Sequence, residues 1–330
     1  MKVLIALFGP TASGKTALSI VLAQRFGAEI LSCDSVAVYR GMEVGTAKPT
    51  LAERRLVPHH CLDLYDPDEA CTAGDYARHA RATLADLAER GVLPILSGGT
   101  GLYARALLDG LFPAPAANAE LRALLRARVE RRGAGHLHRT LARLDAAASE
   151  AIHPNDAAKV IRAIEVSVAA RQPMTAQWAQ GRDGLDGYHI LRLGLDVPRE
   201  ELYARINRRA AAMFGAGLIE ETRSLIARFG ADCRPFGSLG YAQASAVLAG
   251  TLSEAEAIAE TAQGHRNYAK RQMTWFRREA QLHELHWLRG AGDSPAIIAE
   301  AQARVEEHLA GTAAAAGPDR MWDASEASRG

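Results

Sequence analysis

From Val3 to Phe8 every side chain is apolar, the pattern of a strand covered on both faces in a parallel sheet. Polar residues then interrupt from Gly9 to Thr16, and Ala17 to Phe26 resumes with helical spacing. Glu29 to Cys33 reads as a second strand that ends at Asp34. A helix is expected over Ala73 to Arg90, closed by Gly91, and a third strand over Val92 to Ser97, running into Gly98-Gly99-Thr100-Gly101. Strands and helices alternating in this way predict a parallel α/β sheet flanked by helices.

The pattern changes at Phe112-Pro113-Ala114-Pro115-Ala116-Ala117. From there the spacing is helical and rich in arginine, broken at Gly133, Pro154, Pro173 and Gly184, until strand character returns over Tyr188 to Val197. The expected organisation is a core of residues 1–116 and 188–310, a helical insertion domain at 117–187, and a disordered tail at 311–330. Helices are expected at Arg199 to Phe214, Leu218 to Phe229 and Glu254 to Arg278.

Hydrophobic residues make up 48% of the 330 and the net charge is +1, so any nucleic-acid binding must come from local clusters of charge. Two clusters stand out. Arg122 to Arg143 holds seven arginines against Glu130, and His265 to Arg278 holds five cations, three aromatics and no acid. Helical spacing in the second cluster puts Lys270, Thr274 and Arg277 on one face, and Tyr268, Arg271 and Trp275 on another. Lys270, Arg271 and Arg277 are read as RNA contacts and Phe276 as core. The cysteines, Cys33, Cys61, Cys71 and Cys233, form no Cys-x-x-Cys pair, which points to a reducing compartment without disulfides or a zinc finger. The apolar start is too short for a signal peptide and no run is long enough to span a membrane, so a cytoplasmic protein is expected.

Gly9-Pro10-Thr11-Ala12-Ser13-Gly14-Lys15-Thr16 fits the phosphate-loop pattern G-x-x-x-x-G-K-[ST], with a strand before it and a helix after. Backbone N–H groups and a helix N-terminus attract phosphate there, Lys15 adds a cation, and the Thr16 hydroxyl suits Mg²⁺. The strand ending Ser97-Gly98-Gly99-Thr100 lacks the carboxylate expected of a nucleoside triphosphatase. Asp34, at the end of another strand, is the acid placed to face the same crevice, where it either serves the chemistry or caps a turn.

These segments together resemble the tRNA dimethylallyltransferase family. The similar stretches are GPTASGKT (9–16), CDSVAVYRGMEVGTAKP (33–49), PHH (58–60), GGTGLYARALLDGL (98–111), HPND (153–156) and YAKRQMTWFR (268–277). The resemblance implies a P-loop NTPase-like fold and a prenyl transfer from dimethylallyl diphosphate to N6 of the adenosine on the 3′ side of the anticodon, with Mg²⁺ as cofactor. The diphosphate would lie against Gly9, Thr11, Ala12, Ser13, Gly14, Lys15 and Thr16. Asp34 would take the amine proton, and Thr16 would hold the metal. An arginine from a helix reading R-I-x-x-R, matched at Arg205-Ile206-Asn207-Arg208 and so assigned to Arg208, would meet the leaving group. By the same matching tRNA would contact Asp34, Ser35, Val36, Ala37, Thr100, Arg122, Ala158, Lys159 and Arg162, and the protein would act as a monomer. Ala37, where the family often has Gln, and Ala242, where Lys or Arg is common, each lose a potential RNA contact. The rival reading, a small phosphate-loop kinase with the insertion as its lid, leaves residues 265–278 without a task.

Overall fold

The computed structural model describes residues 2–115, 118–179 and 181–316. Six strands form one parallel sheet: β1 (Lys2–Phe8), β2 (Glu29–Cys33), β3 (His59–His60), β4 (Pro94–Gly98), β5 (Tyr188–Leu195) and β6 (His286–Leu288). Their order is β3-β2-β4-β1-β5-β6. β1 lies between β4 and β5, in register Ile5 to Ile95 and Ile5 to Leu191. Leu4 through Leu7 are wholly buried, as the unbroken apolar run requires. Because every strand runs the same way, the carboxyl ends of β1, β2 and β4 come to one edge, where ligands bind in open α/β sheets.

The expected strands and helices recur with ends shifted by a few residues, and β2 and the helix Leu218–Phe229 match the expected bounds. The first helix begins at Lys15 because Gly14 takes a left-handed conformation and acts as its cap. β3 and β6, of two and three residues, are too short to carry any period. Helices at Leu51–Leu56, Gly101–Leu108 and Tyr241–Leu248 were also not foreseen.

The expected tail needs correction. Pro295–Ala316 is a helix whose Ile297, Ala301 and Val305 are buried in the core beside the first helix. Alanine is the strongest helix former, so a run poor in contrast is still a helix when one stripe finds apolar cover. Of the expected tail, residues 317–330 lie outside the described residues.

The chain divides into two compact units, one from the described residues of Met1–Leu107 and Asp186–Gly330 and the other from Leu108–Leu185. Within the smaller unit, the helices Ala119–Arg132, Ala134–Leu144, Ala146–Ala151, Ala157–Ala170 and Met174–Trp178 surround a core of Leu125, Leu137, Leu141, Val160 and Ile164. That core contains one fully buried acid, Glu165. Its carboxylate accepts from Arg122 at 2.6 Å, from Arg162 at 3.0 Å and from the Asn118 N–H at 2.6 Å. Lys159 pairs with Asp156 at 2.5 Å, while Ala158 is exposed. Two arginines of the expected RNA surface are therefore already neutralising an internal charge.

Burial pushes the Glu165 carboxyl up, but Arg122, Arg162 and the Asn118 N–H outweigh it and hold it below its ordinary value. A carboxyl depressed in the folded state adds stability at neutral pH and loses it as pH falls through the carboxylate range. We expect Arg122→Ala to destabilise the protein by about 1–3 kcal/mol at neutral pH, because it strips a partner from a buried charge. Glu165→Gln should flatten the acid limb of thermal stability measured against pH.

Candidate active site

The phosphate loop is held from three sides. Lys15 folds back so that its ammonium donates to the carbonyls of Gly9 at 2.8 Å and Pro10 at 2.7 Å. A Cβ on Gly14 would come within 2.8 Å of the Gly292 nitrogen, and the Gly292 N–H donates to the Ser13 carbonyl at 2.9 Å. The Thr11 N–H donates to the Gln272 side-chain carbonyl at 2.8 Å. The first turn of the Lys15–Phe26 helix has no side-chain cap, so its N-terminal donors and partial positive charge serve the loop.

A cavity of about 470 Å³ opens beside the loop. Of the phosphate-loop residues singled out from the sequence, Thr11, Lys15 and Thr16 line it. Gly9, Ala12, Ser13 and Gly14 shape the loop instead. Ser13 is fully buried, and its hydroxyl has no partner among the described residues. Asp34, Ser35, Val36 and Ala37 line the same cavity from the end of β2. The Asp34 Oδ1 accepts from the N–H groups of Val36 at 2.8 Å and Ala37 at 3.1 Å, so the turn foreseen as an alternative for this residue is present. A Cβ on Gly98 would fall 2.1 Å from the Cys33 carbonyl, so only glycine lets β4 end this close to β2. Thr100 bonds the Ser35 N–H through its Oγ1 at 3.0 Å and stands behind that loop.

The third wall is the helix Glu254–Leu282. Its buried stripe includes Ala262, His265, Ala269, Gln272 and Phe276, with the polar His265 and Gln272 at core spacing beside the cavity. The Gln272 carboxamide bridges two loops, accepting from Thr11 and donating to the Gly99 carbonyl at 2.9 Å. Neither His265 ring nitrogen has a partner among the described residues, and burial with nearby Arg209 holds the imidazole down to about 4, so it is neutral. Burial, with Asp34 close by, pushes the Tyr268 phenol up to about 12. Arg271 stacks over the Tyr268 ring and also lines the cavity. Lys270 and Arg277 are exposed on the outer face, as their spacing implies, and Phe276 is core. Gln272 and His265 were missed as site residues, although polar side chains in an apolar stripe were a readable signal.

Arg208 needs correction. It is exposed and does not reach the cavity, whereas its neighbour Arg209 lines it. Counted in full, R-I-x-x-R ends at Arg209, and a helix sends adjacent residues about 100° apart. Arg209 donates to the Thr46 carbonyl at 3.1 Å, and its Nε has no partner among the described residues. Burial and the facing Arg209 charge lower the Lys15 ammonium to about 7. Two cations thus converge on one space, opposite the Asp34 carboxylate.

A phosphate loop, paired cations and a carboxylate around one cavity define an α/β enzyme for a phosphorylated substrate. The chain matches the IPP transferase model over residues 37–279 and the isopentenyl transferase model over residues 1–61. It is 60% identical over 298 residues to a tRNA dimethylallyltransferase of Koribacter versatilis, covering 90% of this chain and 96% of that one. A Solibacter usitatus protein of the same name is 51% identical, with 93% and 99% covered. The solved structure of a tRNA isopentenylpyrophosphate transferase from Bacillus halodurans superposes with a TM-score of 0.70 at 36% identity, over 96% of this chain and 99% of that one. The fold is shared too with a eukaryotic dimethylallyltransferase solved acting on tRNA, at TM-score 0.77 and 23% identity, over 99% and 83% of the two chains. The chain belongs to the IPP transferase family.

A lysine lowered to about 7 is mostly neutral at pH 8 and regains its proton when an anion arrives. Calorimetry in buffers of different ionisation enthalpy should therefore show uptake of close to one proton when an organic diphosphate binds at pH 8. Uptake should fall away toward pH 6 and be absent in Lys15→Met.

Proposed function

We propose that this chain transfers the dimethylallyl group of dimethylallyl diphosphate to N6 of the adenosine on the 3′ side of the anticodon in tRNA. It is a prenyl transferase acting on tRNA and not a kinase, in keeping with the names of its relatives at 60% and 51% identity. The observation that carries the reading is that Lys15 and Arg209 share one cavity with Asp34. N6 attacks C1 of the allyl group, the C1–O bond breaks, and diphosphate leaves with the bonding pair. The N6 proton passes to the Asp34 carboxylate.

Each group suits its step. An exocyclic amine is a weak nucleophile because its lone pair is delocalised, and a carboxylate accepting from its N–H raises its electron density as the new bond forms. Oδ1 of Asp34 is held by two backbone N–H groups, which fixes the side chain. Charge growing on the leaving oxygen meets Lys15, Arg209 and the helix N-terminus, all preset before the reaction. The Thr16 hydroxyl, an oxygen donor beside the loop, fits Mg²⁺, which would add further neutralisation of the diphosphate. A base reaches this cavity only once it is unstacked from the anticodon loop. Lys270, Arg277 and Arg271 are the exposed cations that would hold the RNA backbone nearby, with Arg122, Ala158, Lys159 and Arg162 as further contacts.

We further propose that the protein acts as a monomer. Among the described residues no helix is long and apolar enough to cross a membrane, and we place the protein in the cytoplasm with its RNA substrate.

Incubation with Mg²⁺, labelled dimethylallyl diphosphate and unmodified tRNA should place label on adenosine without added ATP. No label on the base, with ATP hydrolysed or its phosphate passed to a small molecule in a parallel incubation, would overturn the reading. In single-turnover transfer at saturating substrates, Arg209→Ala should cost about two to three orders of magnitude, Arg208→Ala little, and Asp34→Asn most of the rate. Titrations of tRNA alone should change little in all three.

Affinity for tRNA should fall steeply with salt, and removing one phosphate contact should lower the slope by roughly 0.7 to 0.9. Lys270→Ala and Arg271→Ala should each flatten the plot, and Arg289→Ala should not.

A further inference from the structure

The loop that touches Arg209 has no ladder or helix to hold it, and a distant carboxylate does the holding. Glu221 lies in the first turn of the helix Leu218–Phe229. Its two oxygens accept from three successive backbone N–H groups: Glu43 at 3.2 Å, Val44 at 2.9 Å and Gly45 at 3.5 Å. The Tyr241 hydroxyl donates to the same carboxylate at 2.6 Å. A Cβ on Gly45 would lie 2.3 Å from the Tyr241 ring, so the loop is laid flat on that ring. One residue further on, the Thr46 carbonyl accepts from the Arg209 guanidinium at 3.1 Å, the one hydrogen bond of Arg209 among the described residues. The far end of the loop is pinned by buried Lys48, which donates to the Tyr39 carbonyl at 2.5 Å and to Asp63 at 2.6 Å.

We propose that Glu221 is a positioning residue for prenyl transfer: its carboxylate fixes residues 43–45, and Thr46 thereby aims Arg209 at the leaving diphosphate. The proposal rests on Arg209 meeting that diphosphate. Three converging donors call for an anion, and the helix N-terminus favours the charge of Glu221 where it stands. Replacing it with a single acceptor releases part of the loop. Arg209 then keeps its charge and loses its direction, and a misplacement of about 1 Å at a reacting centre is worth up to a hundredfold in rate.

The test is a double-mutant cycle on the full chain, read by single-turnover transfer of labelled dimethylallyl, with separate calorimetric titrations of inorganic pyrophosphate and tRNA. Glu221→Gln should slow transfer roughly tenfold to a hundredfold. It should also weaken pyrophosphate binding while leaving tRNA affinity unchanged. Combined with Arg209→Ala it should cost almost nothing beyond Arg209→Ala alone, because residues acting through one contact are not additive. Tyr241→Phe, which removes only the hydroxyl, should show the same non-additivity at smaller size and carries the test if Glu221→Gln does not fold. Losses that multiply in the double variants, or singles indistinguishable from wild type, would overturn the assignment. A wild-type chain that transfers no label would instead sink the reading of function.

Discussion

Lys15 and Arg209 are two cations drawn toward the same space and partly out of water, and the rest of the structure is arranged to hold them there. Their repulsion shows in the lowered Lys15 ammonium, to which Arg209 contributes after burial itself. The first helix directs its positive end to the same place, which adds to the strain. The nearby anion is Asp34, a single charge against two and a helix end. A diphosphate supplies the missing counter-charge, and in prenyl transfer that charge increases at the leaving oxygen as the carbon–oxygen bond breaks. On the proposed function the site would be complementary to the departing group more than to the bound ester, which is what accelerates a reaction.

Holding like charges together needs rigid supports, and these come from distant parts of the chain. Lys15 is secured by carbonyls of its own loop. Gln272 ties that loop to the end of β4, and Gly292 closes on it from behind. Arg209 is aimed by Thr46, on a loop fastened by Glu221 and Lys48. The groups in direct contact with the two cations are the carbonyl oxygens of Gly9, Pro10 and Thr46, which satisfy a cation without cancelling its charge. A carboxylate in direct contact with either cation would compete with the substrate.

Much of this was legible in the residues. The buried strands announced themselves as continuous apolar runs, and Gly9 to Thr16 could be placed between strand and helix without any structure. The errors had physical causes. β3 and β6 are strands because neighbours offer them ladder partners, and two or three residues carry no period. The helix Pro295–Ala316 was hidden by alanine, which blurs the contrast between its faces. Arg208 and Arg209 look equivalent by type, and the stripe of buried Leu202, Ile206, Ala210 and Met213 is what turns one inward and the other out. The burial of Glu165 could not have been foreseen, since locally it looks like an ordinary i,i+3 pair with Arg162 and its second cation, Arg122, is 43 positions away.

The choice between phosphoryl and prenyl chemistry turns on where the carboxylate sits. A phosphoryl transferase of this fold puts an acid at the end of a strand beside the loop, to complete the metal site. Here β4, directly beside β1, ends in Ser97-Gly98 and runs into Gly99-Thr100 without a carboxylate. The acid stands one strand further out, at the end of β2, facing the cavity with one oxygen committed to the backbone of its own turn. The turn and the proton transfer do not compete, because a carboxylate has a second oxygen, and the described hydrogen bonds leave Oδ2 of Asp34 unengaged. Fixing Oδ1 by two N–H groups orients its partner oxygen. In the proposed reaction an acid so placed would be available to a nucleophile entering opposite the leaving group, the geometry that substitution at carbon requires.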